Sequence, residues 1–124
     1  MILLTKEQIV EMQELLIEYT GGLRGIKNEA LLDSAANNPF QTFMGEELYP
    51  TMQKKAASLC YGLINNHAFH DGNKRIGVLA MLTFLELNGI MIECSDDELV
   101  ELGLNIASGK YDQEDILIWI RKHY

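Results

Sequence analysis

Basic residues, cysteines and prolines are all scarce in this chain of 124 residues. Ten Lys and Arg residues stand against eighteen Asp and Glu residues, which gives a formal net charge of -8 at pH 7. Binding to nucleic acid or to an anionic membrane surface needs a broad positive field. We therefore expect neither kind of partner, although a few concentrated cations could still hold a small anionic ligand.

Long apolar runs are also missing, since no stretch reaches the ~18 residues that a membrane-spanning helix needs. The first residues lack the basic segment, long apolar segment and cleavage site of a signal peptide, so none is expected. Cys60 and Cys94 form no Cys-x-x-Cys pair and lie in apolar stretches. We interpret both as buried free thiols, which fits a cytoplasmic protein in a reducing compartment.

Helix start and stop signals indicate six helices. Capping-box patterns begin the first, fifth and sixth helices at Thr5, Ser95 and Asp112. The second is predicted from Glu29 to Asn37, the third after Pro50, and the fourth from Asn73. The sixth carries β-branched alternation that could also form a strand, but its cap and its cationic end favour a helix.

Apolar periodicity predicts how these helices pack. In the first helix, one face carries Ile9, Met12, Leu16 and Tyr19. In the third helix, one face carries Ala56, Leu59, Cys60, Leu63, Ile64 and His67, so we expect His67 at the end of a buried stripe. Residues 76–85 are apolar nearly all round, which indicates a buried central helix.

Residues 39–50 carry aromatics and Thr around Gly45, which predicts a short, hairpin-like flap; a packed connection is the alternative. The predicted fold is therefore all-α: a compact bundle of about six helices around a buried central helix, with a short flap before the motif helix. We expect one domain over residues 1–124.

The chemistry is concentrated in residues 67–75, which read His-Ala-Phe-His-Asp-Gly-Asn-Lys-Arg. Gly72 allows a tight turn that exposes backbone N–H groups to phosphate oxygens. Asn73, Lys74 and Arg75 then fall in the first turn of a helix, at its positive dipole end. Residue types and spacing together indicate a phosphate-handling site.

Two further side chains complete this site. Asp71 would repel a phosphate unless a divalent cation lay between them, and Mg²⁺ is the usual one. His67 can be the general base that accepts a proton from an attacking hydroxyl. Each of these residues alone is more often structural, as a turn or a solvated face. A metal site built from His67, His70 and Asp71 is an alternative, although the adjacent cations disfavour it.

The same residues resemble the signature of the Fic/Doc superfamily, and specifically of its Doc (death on curing) toxin branch. Further segments resemble the family's N-terminal loop, its flap and the end of its central helix. These segments are Gly21–Gly25, Asn38–Phe43 with Glu46–Pro50, and Leu85–Gly89. The resemblance implies a Fic fold that binds ATP and Mg²⁺ at the motif. It assigns His67 as general base and Asp71 as metal ligand, with Gly72, Asn73, Lys74 and Arg75 as phosphate binders.

Lys74 bears on the type of reaction. Most family members that transfer AMP have Gly at that position and Pro where this chain has Ala68, whereas Doc proteins carry Lys. The Doc pattern implies a protein kinase acting on a Ser or Thr hydroxyl, with translation elongation factor Tu as the expected target. AMP transfer is the alternative, since Gly72 is shared with the AMP-transferring pattern. A further alternative is a non-catalytic module that only binds a partner.

The resemblance also implies how activity is restrained. Many family members carry an inhibitory helix with Glu followed by Gly or Asn, and this sequence contains neither dipeptide. Inhibition is therefore expected in trans, from an antitoxin of the Phd type. The expected assignment is the toxin of a toxin–antitoxin pair that arrests growth by blocking translation.

Overall fold

Six α-helices account for most of the chain in the computed structural model, which describes residues 1–124. They are α1 (Lys6–Thr20), α2 (Glu29–Asn37), α3 (Met52–Asn65), α4 (Asn73–Leu87), α5 (Asp96–Ala107) and α6 (Gln113–His123). A short 3-10 turn covers Asn38–Phe40 after α2. The predictions of an all-α fold and of six helices are confirmed, and the sixth element is a helix rather than a strand.

Side-chain caps set where most of these helices begin. A side-chain oxygen of the residue before the helix accepts a hydrogen bond from a backbone N–H in the first turn, which satisfies one otherwise unpaired donor. The capping residues are Thr5, Asn28, Thr51, Ser95 and Asp112. The helix α4 has no such cap. Local sequence therefore fixes five of the six starts.

A two-stranded hairpin forms the flap that the sequence predicted. Its strands, β1 (Thr42–Phe43) and β2 (Glu46–Glu47), pair antiparallel. Met44 and Gly45 both have positive φ, at 52° and 83°, as the tight turn of a hairpin requires. Both strands are exposed. The buried amine of Lys55 on α3 holds the flap in place through an ion pair with Glu47 at 3.1 Å.

The helix α3 lies in the middle of the bundle, packed against α2, α4, α5 and α6. Gly77 lets α4 approach it closely, because a Cβ at that position would lie 2.4 Å from Cγ1 of Ile64. Along the rest of its length α4 is buried on one side and exposes Leu79 on the other. No helix is both long enough and apolar enough to cross a bilayer.

Two expectations about side-chain burial need correction. The buried residues of α1 are Ile9, Gln13 and Ile17, whereas Tyr19 is 94% exposed. The buried face of α1 differs from the predicted one because α1 packs on α2 and α4 through the face that carries Gln13. Cys60 is a buried free thiol as expected, but Cys94 is only half-buried.

Candidate functional site

The loop between α3 and α4 begins with an unusual backbone conformation at His67. Helix α3 ends at Asn65, and His67 has a φ of 50°, in the left-handed region that is unfavourable for residues with a Cβ. Its side chain is exposed. The expectation that His67 ends the buried stripe of α3 is therefore wrong, because the chain leaves the helix before reaching it. Strained backbone of this kind is enriched at functional sites.

The imidazole of His67 is also free of hydrogen bonds. Among the three histidines, only His123 uses its ring nitrogens, which bond to the Trp119 carbonyl and to Glu98. His70, three residues after His67, is likewise exposed and contributes only its backbone N–H, to the Gly25 carbonyl. An exposed imidazole with no partner can accept a proton from a bound hydroxyl.

Two residues of the motif hold the loop in shape rather than facing outward. Phe69 is 1% exposed and anchors the loop in the core. The Asn73 side chain then clamps Phe69 from both sides: it accepts from the Phe69 N–H at 3.1 Å and donates to the Phe69 carbonyl at 3.0 Å. The backbone N–H of Asn73 has no partner within the chain and is free for a ligand.

A second loop, residues 21–28, packs against the motif loop. The Ala68 carbonyl accepts from the N–H groups of Lys27 and Asn28, at 2.7 and 3.0 Å. Ile26 and Phe69 form an isolated antiparallel bridge. From the sequence, Gly21–Gly25 was identified only by its resemblance to the family's N-terminal loop. The available signal was its glycines, since Gly21, Gly22 and Gly25 all have positive φ.

Asp71 is held at its carboxylate and at its main chain. Its Oδ2 accepts from the Leu23 N–H at 2.6 Å, and its carbonyl accepts from the Gln13 side-chain amide at 3.1 Å. One carboxylate oxygen therefore has a fixed partner, and the other stays available to a ligand. Sequence reasoning missed Gln13, because a glutamine in an amphipathic helix normally faces solvent.

The N-terminus of α4 carries donors and cations without partners. Gly72 enters the helix in a left-handed conformation, with φ 80° and ψ 13°. None of the backbone N–H groups of Asn73, Lys74 and Arg75 donates a hydrogen bond within the chain. Neither Lys74 nor Arg75 forms an ion pair, although the Arg75 guanidinium donates to the Thr20 hydroxyl. Free N–H groups at a helix start, with two unpaired cations, make an anion-binding surface.

The arrangement also decides which metal could fit. No three side chains of His, Cys, Asp or Glu lie together in a way that could hold a metal ion. The alternative metal site built from His67, His70 and Asp71 has no support in this geometry. A single carboxylate beside an anion site suits Mg²⁺, which binds through one or two carboxylates and completes its shell with phosphate oxygens and water.

Two surface clefts lie away from this loop. One, of about 180 Å³, lies between the flap end and the start of α6, and includes Tyr49 and Leu117. The other, of about 120 Å³, lies between α5 and α6, beside Trp119. Neither of these two clefts contains a residue of the motif loop.

The fold is a helical bundle. A glycine turn between two of its buried helices presents an imidazole, a carboxylate and a cationic helix N-terminus. Fold and site together define a class of protein. The chain belongs to the Fic/DOC family, whose family model matches residues 3–85. It is also similar to the protein named Toxin Doc from Mycolicibacterium smegmatis, with 40% identity over 77 residues. That alignment covers 62% of this chain and 59% of the relative, so the chain matches less than two thirds of the relative's length.

Proposed function

We propose that the protein is the toxin of a toxin–antitoxin pair and acts in the cytoplasm as an ATP- and Mg²⁺-dependent protein kinase. Its expected target is a Ser or Thr hydroxyl of translation elongation factor Tu. Membership of the Fic/DOC family and similarity to a protein named Toxin Doc support the class. The observation that carries the proposal is the exposed, unpartnered His67 next to the uncapped, cationic start of α4.

His67 acts as the general base in this proposal. The target hydroxyl oxygen attacks the γ-phosphorus of ATP, the bond to the β-phosphate bridging oxygen breaks, and ADP leaves. The proton of the hydroxyl passes to the free imidazole. A positioned general base contributes roughly 10²- to 10⁴-fold to such a transfer. The side chain of His67 is exposed, so its ring is accessible to a bound hydroxyl.

The start of α4 would hold the phosphates. The N–H groups of Asn73, Lys74 and Arg75 point along the helix axis at the ligand, and the two cations offset its negative charge. Asp71 is the metal ligand of this proposal, with one oxygen already fixed by the Leu23 N–H. Bound Mg²⁺ would neutralise charge that develops on the phosphate oxygens during transfer. Gly72 brings the backbone close without a side chain.

The flap is proposed to hold the target segment. Both of its strands are exposed, so an extended peptide could pair with an edge and place its hydroxyl beside the motif loop. Lys55 is 2% exposed and fixes the flap base through the Tyr49 carbonyl as well as through Glu47. A Phd-like antitoxin is the proposed inhibitor in trans, since the sequence contains no Glu-Gly or Glu-Asn inhibitory pattern.

The decisive experiment supplies a cell lysate and the purified protein with ATP labelled at either the α- or the γ-phosphate. Label on a protein from γ-labelled ATP alone is the expected result. Label from α-labelled ATP would replace phosphoryl transfer by AMP transfer. No label from either would favour a module that only binds a partner.

Two histidines of the loop provide matched variants for this assay. We expect His67→Ala to lower transfer by at least about 100-fold and to remove growth arrest, because the general base is lost. His70→Ala alters an equally exposed imidazole three residues away and should transfer at nearly the wild-type rate. Growth arrest retained in His67→Ala, or lost equally in both variants, would contradict the assigned base.

A further inference from the structure

A fully buried glutamine in α1 lies directly behind the motif loop. The buried positions of α1 are Ile9, Gln13 and Ile17, spaced one helical turn apart, and only the middle one is polar. Gln13 is 0% exposed, and its Oε1 has no hydrogen-bond partner. An unsatisfied buried acceptor is unfavourable, so an apolar residue would serve packing better. The glutamine therefore needs an explanation other than filling the core.

The side-chain amide of Gln13 joins two loops that are far apart in sequence. Its Nε2 donates to the Asp71 carbonyl at 3.1 Å and to the Leu23 carbonyl at 3.4 Å. Leu23 in turn donates its N–H to Oδ2 of Asp71 at 2.6 Å. These three hydrogen bonds form a closed ring, in which both the main chain and the carboxylate of Asp71 are held. We call this set of contacts the Gln13 ring.

Gly22 leaves room for the ring. A Cβ at that position would lie 3.2 Å from Oδ2 of Asp71, and the backbone has a φ of 116°. A side chain there would therefore press on the carboxylate oxygen that Leu23 holds. Gly22 in the loop and Gln13 in α1 therefore constrain the position of Asp71 from two different segments of the chain.

We propose that Gln13 is a positioning residue for Asp71, and that it thereby sets the affinity of the site for its divalent cation. The metal part rests on the proposed function, in which Asp71 is the ligand. Residues that orient a ligating carboxylate typically change metal affinity by about 10- to 100-fold when they are replaced. Gln13 does not contact the reacting groups in this proposal; it acts through Asp71.

Gln13→Met tests the proposal, because methionine keeps the length and volume but donates no hydrogen bond. Ile9→Ala, one turn earlier on the same buried face, is the control for loss of stability alone. The first readout is hydrogen exchange of the Leu23 amide, measured by NMR without metal or nucleotide. The second is the Mn²⁺ concentration that half-broadens the Gly72 and Asn73 amides, with Mn²⁺ standing in for Mg²⁺ at oxygen ligands.

We expect Gln13→Met to speed exchange of the Leu23 amide at least about tenfold and to raise the half-broadening Mn²⁺ concentration about 10- to 100-fold. Ile9→Ala should leave both readouts within about twofold of wild type while it lowers the melting temperature. If Gln13→Met fails to fold, Gly22→Ala attacks the same ring from an exposed loop and should shift both readouts in the same direction.

Two results would overturn the proposal: a Leu23 amide that exchanges freely in the wild type, or Gln13→Met and Ile9→Ala variants that behave alike. The proposed function can fail separately. A wild type whose Leu23 amide is protected but whose loop binds no Mn²⁺ would contradict the metal role of Asp71. Loss of that protection in Gln13→Met would still support the positioning of Asp71 by Gln13.

Discussion

The starts of α4 and α5 are built in opposite ways. Helix α5 begins with a complete capping box between Ser95 and Glu98 and has three acids in its first turn, which complement the positive end of the helix dipole. Helix α4 begins at a glycine with no side-chain cap and no acid in its first turn. Lys74 and Arg75 stand there instead, where a cation opposes the dipole. The start of α5 therefore favours stability, whereas the start of α4 keeps its N–H groups free for an anion.

The largest effect is expected from a substitution that makes the start of α4 resemble the start of α5. Lys74→Glu places an acid in the first turn of α4, so the free energy of unfolding should rise by about 0.3–1 kcal/mol. Transfer activity should fall by at least about 100-fold, since a cation facing phosphate becomes an anion. Chemical denaturation and the γ-label assay measure the two effects.

Lys110→Glu is the matched control for this change of charge. Lys110 is exposed in the connection between α5 and α6, outside residues 67–75, and the substitution alters the net charge equally. Transfer should stay near the wild-type rate. Equal loss of activity in Lys74→Glu and Lys110→Glu would show that overall charge, and not the α4 start, controls the reaction.

A smaller effect is expected from removing the cap of α5. Ser95→Ala leaves the Glu98 N–H without its acceptor and should lower the free energy of unfolding by about 1 kcal/mol. Transfer should be unchanged, because the cap joins Ser95 only to Glu98 and involves no residue of the motif loop. A marked loss of transfer in a folded Ser95→Ala protein would mean that the two helix starts are not separable in function.

The smallest expected effect is a pH dependence of stability at the same capping box. The hydrogen bond to the Trp119 carbonyl, and then the Glu98 carboxylate, raise the pKa of His123 above its ordinary value. Hydrogen bonding to the Ser95 backbone, and then to His123, lowers the pKa of Glu98. These two shifts act on stability at opposite ends of the pH range.

Protonated His123 favours the folded state, so its stabilisation is complete below about pH 6.5 and is lost as the pH rises through the raised pKa. The contribution of ionised Glu98 is complete above about pH 4.5 and is lost as the pH falls through the lowered pKa. Urea unfolding across this range should show the decline above pH 6.5, and His123→Gln should flatten it. An unchanged slope in His123→Gln would remove His123 as the source.

The fold was predictable from sequence wherever a local rule decides the structure. The caps at Asn28, Ser95 and Asp112 lie within a few residues of the helices they begin, so their signals are local. The hairpin around Gly45 was predictable for the same reason. The candidate anion site was also identifiable in the sequence, because a glycine turn followed by two cations is a local pattern; its binding of phosphate stays a prediction.

The rest depends on contacts between distant segments. The conformation of His67 follows from where α3 ends and from the hydrogen bonds that residues 21–28 make to the motif loop, and periodicity within α3 could not reveal it. The role of Gln13 depends on a hydrogen bond to Asp71, 58 residues away. Asn73 was expected to bind phosphate, but its side chain closes the loop on Phe69, which only the folded backbone shows.

The contrast between the helix starts can be measured in one NMR titration with ATP and Mg²⁺. The account predicts that the amide resonances of Asn73, Lys74 and Arg75 shift on binding. Those at the first turns of α5 and α6 should stay in place, because their caps occupy them. Shifts confined to α5 and α6, or the absence of any shift at residues 73–75 under saturating ATP, would contradict the assignment of the α4 N-terminus as the phosphate site.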